Sequence, residues 1–453
     1  GATANSNMDA SNLLKPLLTE GRVRCIGATT YEEYKNQIRR DRALSRRFHK
    51  IDITEPTRQE TVQILGGIAG YYEEHYGVSY RPSALEAAVD LSARYLNERF
   101  LPDSAIDVMD ESGAARALLP PSQQSKTITA RQVENIVADM ARIPSSEIGA
   151  DDENKLRDLE GALKQRIFGQ DTAVHRVAKA IKIARAGVNE PDRPVGSFLF
   201  AGPTGVGKTE LSKQLAQALG IEFVRFDMSE YTEEYTVSRL IGSSPGYVGY
   251  EQGGQLTEAI IRQPHCVLLL DEIEKAHAKI FNILLQIMDY GTLTDNQGRK
   301  ADFRNVIIIM TSNAGARELS KDVIGFGTQE PPSHNMKAIE KAFSPEFRNR
   351  LSDTVYFNAL DLPLIERIVT KFVDELRDRL GRRKITIDVD EPARKWLAET
   401  GYDPKYGARP IARLINREIY EELVDDILFG RLKKGGHVVV TRTDNALDVT
   451  IAG

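Results

Sequence analysis

The chain has 453 residues, room for about three domain-sized units, and its 41% hydrophobic and 28% charged residues describe a packed globular protein. A formal net charge of −5, with no dense block of Lys and Arg, argues against nucleic acid as a partner. No stretch is long and apolar enough to span a bilayer, so no membrane role is expected.

In chain order, residues 1–7 read as a loop entered in mid-domain, which suggests an N-terminally truncated chain. An apolar run over residues 23–30 ends in Thr29 and Thr30. A helical segment, an arginine-bearing turn with Arg46 and Arg47, and a short strand over residues 50–54 follow. The same succession recurs at residues 306–313, 348–351 and 354–357. Two related modules in tandem account for this, the first lacking its front half. Two cysteines are present, Cys25 and Cys266. Both lie in apolar, strand-like runs and are expected as buried free thiols, which fits a reducing, cytoplasmic compartment.

From Glu55 to about Arg142 the pattern is helical. Pro56 opens a segment with Val62, Ile64, Leu65 and Ile68 apolar, and Pro82 opens another with Leu85, Ala88, Val89 and Leu91 on one face. Pro120 and Pro121 mark a loop, and residues 143–152 form a polar connection. Beyond it, continuous apolar runs at residues 198–201, 223–226, 266–270, 306–310 and 355–357 predict buried parallel strands flanked by helices. From Leu362 the chain is helical again. It ends in strand-like residues 385–389, 437–441 and 447–451, a small α+β unit.

Between the strand at 198–201 and a helix starting near Glu210 lies Gly202, Pro203, Thr204, Gly205, Val206, Gly207, Lys208, Thr209. This is a phosphate-binding loop in its proper context. Its backbone N–H groups and the helix N-terminus suit an anion, Lys208 can reach terminal phosphates, and the Thr209 hydroxyl can bind Mg²⁺. The run from Cys266 ends in Asp271 and Glu272, beside the phosphate loop at the sheet's C-terminal edge. There Asp271 suits the Mg²⁺ shell and Glu272 a general base. Asn313, ending the next strand, either orients the attacking water or touches the terminal phosphate, or else caps a turn. Arg350 and Arg409 either supply charge for phosphoryl transfer or form surface ion pairs.

Two loops stand apart. Tyr247, Val248 and Gly249 follow Pro245-Gly246, and an aromatic between glycines is poorly placed for a core; the alternative is a structural turn. Ile324, Gly325 and Phe326 sit in a polar stretch. They either dock on a partner, at about 1.5–3 kcal/mol per fully buried large side chain, or fold back on their own module.

Together these residues resemble the AAA+ ATPases of the Clp unfoldase class. The phrases that carry the resemblance are FDMSEY (226–231), PGYVGY (245–250), LLLDEIEKAH (268–277), GTLTDNQGRKADFRN (291–305), FRNRL (347–351) and YGARP (406–410). In the earlier part they are NLLKPLL (12–18), GATTYEEY (27–34), DRALSRRF (41–48) and LPDSAIDVMDE (101–111). The likeness is strongest to the two-ring members that feed a protease. It implies a P-loop AAA+ parallel sheet with helical and small α+β lid subdomains. Residues 1–54 would be the rear of a first large subdomain and 55–142 its helical small subdomain. Residues 143–160 would be a linker, 161–358 a complete second large subdomain and 359–453 its lid. The implied activity is ATP-driven unfolding, with ATP and Mg²⁺ as cofactors, in a homo-hexamer that threads polypeptide into a ClpP-type peptidase. The resemblance makes Ile167 and Phe168 nucleotide contacts, Thr30 and Asn313 sensors, and Arg46, Arg47 and Arg350 fingers acting on a neighbouring subunit. It makes Arg409 a sensor in cis, Tyr247-Val248-Gly249 a pore loop, and Ile324-Gly325-Phe326 the peptidase-docking loop. Ser104 stands where many relatives carry Lys. Residues 114–133 lack the long coiled coil of disaggregases, although a disaggregase remains the alternative. A nucleic-acid motor, or a fragment that binds nucleotide without forming rings, are more distant readings.

Overall fold

The computed structural model describes residues 23–39, 45–46, 48–96, 99–120, 126–141, 150–186, 190, 192–242, 253–314, 332–403, 407–444 and 446–452. The chain divides into two compact units, residues 1–60 and 61–453.

In the first unit, residues 23–30 and 50–54 are not strands, contrary to expectation. Ile26, Ile51 and Ile53 are exposed, and so is Cys25, which was expected to be buried. An apolar run becomes a strand only where a neighbour takes up its N–H and C=O groups, and among the described residues of this unit there is no such neighbour. Thr30 caps the short helix Tyr31–Glu33: its Oγ1 accepts the Glu33 N–H, while the Glu33 carboxylate accepts the Thr30 N–H. Arg46 is exposed, and Arg47 lies outside the described residues.

The second unit opens within the first helix of a bundle: α1 (Arg58–Tyr76), α2 (Pro82–Tyr95), α3 (Asp103–Ala117) and α4 (Ala130–Ala141), with a two-residue parallel ladder of β1 (Ser79–Tyr80) on β2 (Thr127–Ile128). Leu65, Leu85, Val89, Val108, Val133 and Val137 fill its core. Pro82 sits in the first turn of α2, where its missing N–H has no intrahelical partner to lose.

Residues 150–160, expected within a linker, are helical instead, as part of α5 (Ala150–Arg166). Leu156, Leu159 and Leu163 make an i, i+3, i+7 stripe packed into the core of the domain that follows. The many charged residues around this narrow stripe make the segment read as a polar connection.

After α6 (Asp171–Arg185) come β3 (Gly196–Ala201), α7 (Lys208–Leu219), β4 (Glu222–Asp227), α8 (Glu234–Ile241), α9 (Gln255–Arg262), β5 (Cys266–Asp271) and α10 (Ala278–Tyr290). The hairpin β6 (Thr292–Thr294) and β7 (Lys300–Asp302) leads to β8 (Ile307–Ser312), then α11 (Pro332–Ala342), α12 (Pro345–Arg348) and β9 (Asp353–Tyr356). The five-stranded sheet has order β4-β5-β8-β3-β9 with every pair parallel. β3, β5 and β8 are buried along their whole length. Alternate side chains feed two cores: Phe198, Phe200, Val267, Leu269 and Ile309 on one face, and Leu199, Leu268, Leu270, Ile308 and Met310 on the other. Both faces are covered, so hydrophobicity is continuous along each strand.

The C-terminal part comprises α13 (Leu362–Gly381), β10 (Ile385–Val389), α14 (Glu391–Gly401), α15 (Arg409–Ile415), α16 (Glu421–Leu428), β11 (Gly436–Thr443) and β12 (Ala446–Ala452). β11 pairs parallel with β10 and antiparallel with β12. Its buried residues, among them Ile365, Val369, Ile387, Ile411 and Val438, join the core on the Phe198 face of the large sheet.

Candidate active site

The strand order brings three C-terminal strand ends side by side. β8 lies between β3 and β5, with Ala201 paired to Ser312 and Leu270 to Met310. The phosphate loop after β3, the two carboxylates at the end of β5 and Asn313 after β8 therefore share one edge of the sheet. The C-terminal edge is the usual ligand position in an open parallel sheet.

In the loop, Gly205 (φ 75°) and Gly207 (φ 107°) adopt positive φ, which favours glycine, and α7 begins immediately at Lys208. Val206 is buried and anchors the loop from below. Lys208 is only 7% exposed. Its Nζ donates to Gly202 O and Pro203 O, both at 2.7 Å, and to Asn313 Oδ1 at 2.8 Å. None of these three acceptors carries a charge. Burial pushes the ammonium down to about 8; Glu274, Asp271 and Glu272 pull upward, and Arg409 adds to the downward push. A buried cation on neutral acceptors at a helix N-terminus behind a glycine-rich turn is chemically suited to polyphosphate.

Asp271 is buried. It accepts from Arg225 Nη2 at 2.7 Å and from the Thr311 hydroxyl. That hydroxyl in turn accepts the Glu272 N–H at 3.0 Å, so one threonine sets the spacing of the two carboxylates. Glu272 has φ 56° and ψ 51°, a left-handed conformation unusual for a non-glycine residue. The turn it makes delivers its carboxylate to Asn313 Nδ2 at 3.3 Å, with Lys275 Nζ on the other oxygen. Glu274 accepts the Asn313 N–H at 3.0 Å through Oε1, while its Oε2 is buried without a hydrogen-bond partner.

These donors fit a divalent cation. Asp271 and Thr209 offer hard oxygens at the loop, and a carboxylate with two hydrogen bonds keeps lone pairs for a metal. Among the described residues no group of three or more His, Cys, Asp or Glu is arranged as a metal cage. A cation here would therefore complete its shell with phosphate and water, as Mg²⁺ does.

The C-terminal part reaches this edge. Ala408 N donates to Gly205 O at 3.3 Å. Gly407 (φ 62°) packs so closely that a Cβ would lie 2.5 Å from Thr204 O. Arg409, the first residue of α15, is near enough to depress Lys208. Gln170 donates to Asn358 O at 2.9 Å and to Val206 O at 3.4 Å, and accepts the Asn358 N–H at 3.0 Å, tying the loop to the segment after β9. Ile167 is buried, and the Phe168 ring lies under the Arg367 guanidinium at 4.4 Å. Arg350 pairs with Asp289, at 2.7 Å, and with Glu346.

The structure thus gathers Lys208, Asp271, Glu272, Asn313 and Arg409 around the phosphate loop, and gives Arg350 partners on α10 and α12. Tyr247, Val248 and Gly249, and Ile324, Gly325 and Phe326, lie outside the described residues. Sequence reasoning missed Arg225, Glu274, Thr311 and Gln170. Glu274 and Thr311 stand inside or next to the motifs already singled out. Arg225 and Gln170 act from other elements, with no local spacing to betray them.

Family profiles match three stretches: an AAA domain (Cdc48 subfamily) over residues 193–354, the C-terminal D2-small domain of ClpB protein over 360–440, and an AAA lid domain over 57–162. A ClpA homolog protein of Fuscovulum blasticum is 52% identical over 99% of this chain and 56% of its own length. ClpC/MecB of Bacillus subtilis, a negative regulator of genetic competence, is 41% identical over 97% of this chain and 63% of its own. The chaperone protein ClpB of Oceanobacillus iheyensis is 41% identical over 96% and 62%. The chain therefore spans 56–63% of the length of these relatives. Among solved structures, a closed-state reconstruction of Hsp104 with ATPγS and FITC casein superposes with a TM-score of 0.81 at 38% identity, covering 99% of this chain and 77% of that one.

Proposed function

This chain belongs to the Clp family of AAA+ ATPases, and from that premise we propose that it hydrolyses ATP, with Mg²⁺, to unfold polypeptide and thread it through a homo-hexameric ring into a ClpP-type peptidase. The observation that carries the proposal is the hydrogen-bonded line from Lys208 through Asn313 to Glu272 on the sheet edge.

In this reading the loop N–H groups and Lys208 hold the phosphates. Thr209 and Asp271 hold Mg²⁺, which supplies charge neutralisation on the phosphates when bound. Glu272 accepts a proton from the attacking water, and the Asn313 amide fixes the direction of that carboxylate. Arg409 reports on the phosphates to the lid through the Ala408–Gly205 contact. Arg350 completes the site of a neighbouring protomer. Tyr247 and Val248, with Gly249, grip the threaded chain, and Ile324-Gly325-Phe326 engages the peptidase. Residues 161–358 and 359–453 form the working module, and residues 1–54 and 55–142 the rear of a preceding one, where Thr30, Arg46 and Arg47 serve as sensor and fingers. The protein works in the cytoplasm.

The test is degradation of a stable fluorescent protein by the full-length chain with a ClpP-type peptidase and ATP. Loss of fluorescence that requires ATP, the peptidase and residues 324–326 supports the reading. The likeness to ClpB and Hsp104 favours one rival, a disaggregase. Recovery of aggregated enzyme without a peptidase, with no binding to the peptidase, would establish that rival instead.

A further inference from the structure

We propose that Asp289 is a positioning residue for Arg350, holding its guanidinium in the orientation in which it is offered to the neighbouring protomer. The inference rests on the reading of Arg350 as a finger.

Asp289 is the penultimate residue of α10, and the last turn of that helix contains no basic residue. A carboxylate at a helix C-terminus faces the negative end of the dipole and is disfavoured there without a cation. Arg350, just past α12, supplies one. Its Nε lies 2.8 and 2.7 Å from the two oxygens of Asp289. Its Nη1 donates to the Glu346 carbonyl at 3.0 Å, and its Nη2 lies 3.3 Å from the Glu346 carboxylate. Asp289 and Arg350 side chains are 25% and 28% exposed, so the pair is partly shielded from water.

A guanidinium has five N–H groups in one plane. Fixing Nε on Asp289 and Nη1 on a backbone carbonyl removes rotation about the terminal bonds and leaves N–H groups for a further acceptor. Glu346 alone could not do this. Its carboxylate is 62% exposed and lies in the same short segment as Arg350, whereas Asp289 sits on a long helix packed in the core. An arginine that must meet a phosphate across a subunit boundary gains most from such prior orientation, because a misplacement of about 1 Å can cost about 100-fold in rate.

The test uses the full-length protein as assembled rings. Asp289→Asn should lower kcat by about tenfold to 100-fold, leave KM for ATP within about twofold, and leave the melting temperature unchanged. Asp289→Glu should restore part of the loss. In mixed rings, Asp289→Asn chains combined with Glu272→Gln chains should regain turnover that neither ring shows alone. The first brings intact Glu272 sites and the second brings correctly held Arg350. Arg350→Ala mixed with Glu272→Gln should behave in the same way. Full activity of Asp289→Asn beside an inactive Arg350→Ala overturns the inference, as does a loss that mixing does not restore, which would mean damage within the mutant's own site. Full activity of Arg350→Ala would instead remove the finger reading itself.

Discussion

Lys208 donates from Nζ to Oδ1 of Asn313 at 2.8 Å, across 105 positions of sequence. The same amide donates from Nδ2 to Glu272 at 3.3 Å. One side chain thus has its orientation set by a cation on its oxygen and a carboxylate on its nitrogen. Lys208 and the Glu272 carboxylate are linked through a residue that belongs to neither segment.

Asn313→Ala should therefore act on turnover more than on binding. Misdirecting the Glu272 carboxylate should lower kcat, by about 100-fold for a displacement of about 1 Å, with nucleotide affinity changed by less than about threefold. Steady-state ATPase and fluorescent-nucleotide titration measure the two. Glu272→Gln should leave ATP bound and uncleaved, and substantial steady turnover in that variant would remove Glu272 as the base.

Lys208 carries a pH signature. Its folded pKa of about 8 lies below its ordinary 10.5. Below about pH 8 the buried ammonium weighs fully against the folded state. From about 8 to 10.5 the unfolded chain holds more protons, so this group's contribution to stability rises with pH, by about 3 kcal/mol over the window. Phosphate favours the charged form. Binding at about pH 9 should then take up close to one proton, and binding at about pH 7 none from this group. Calorimetric titration in buffers of different ionisation heat reads this directly, and equal proton counts at the two pH values would contradict it.

Gly407→Ala should weaken nucleotide binding without unfolding the chain. The residue has φ 62°, and the new Cβ would meet Thr204 O at 2.5 Å and the Gly205 backbone at 2.8 Å. Left-handed backbone costs a non-glycine residue about 1–2 kcal/mol. The lid must also retreat from the loop, which breaks the Ala408–Gly205 hydrogen bond. Affinity should fall about tenfold, and an unchanged dissociation constant would show that the lid contact is dispensable.

His265 should make the protein acid-sensitive. It is 5% exposed and its ring centroid lies 5.6 Å from that of Tyr95. Burial, then Arg185 and Arg94, push its pKa down to about 3 against the pull of Asp302. Its folded pKa is below the ordinary 6.5, so its stabilising contribution is complete above 6.5 and is lost as pH falls toward 3. The slope is at most about 1.4 kcal/mol per pH unit. His265→Phe should narrow the difference between denaturation midpoints at about pH 7 and pH 5; an unaltered difference would assign the acid sensitivity elsewhere.

Much of the large domain was legible. All five parallel strands lie within two residues of their apolar runs, but only the central β3, β5 and β8 are buried on both faces, where continuous hydrophobicity is needed; the edge strands β4 and β9, expected to be buried, are mostly half-buried or exposed. The glycine turn between β3 and α7 was equally plain, since Gly205 and Gly207 have the positive φ that favours glycine. Residues 23–30 have the same apolar character and are not a strand here, because pairing is a property of neighbours. The helical stripe of Leu156, Leu159 and Leu163 was obscured by the charges between its members.

The sequence by itself determined which groups this protein possesses and which element carries each: a phosphate loop between strand and helix, carboxylates and an amide at strand ends, arginines before the last strand and on the lid. These follow from local spacing, through which residue types dictate backbone conformation. Only the tertiary structure decided which groups meet. The β4-β5-β8-β3-β9 order sets Asn313 between Lys208 and Glu272, brings Arg225 to Asp271, and carries Asp289 on α10 to Arg350. Such pairs are created by how sheets and helices stack, and side-chain contacts between distant segments leave no periodicity along the chain.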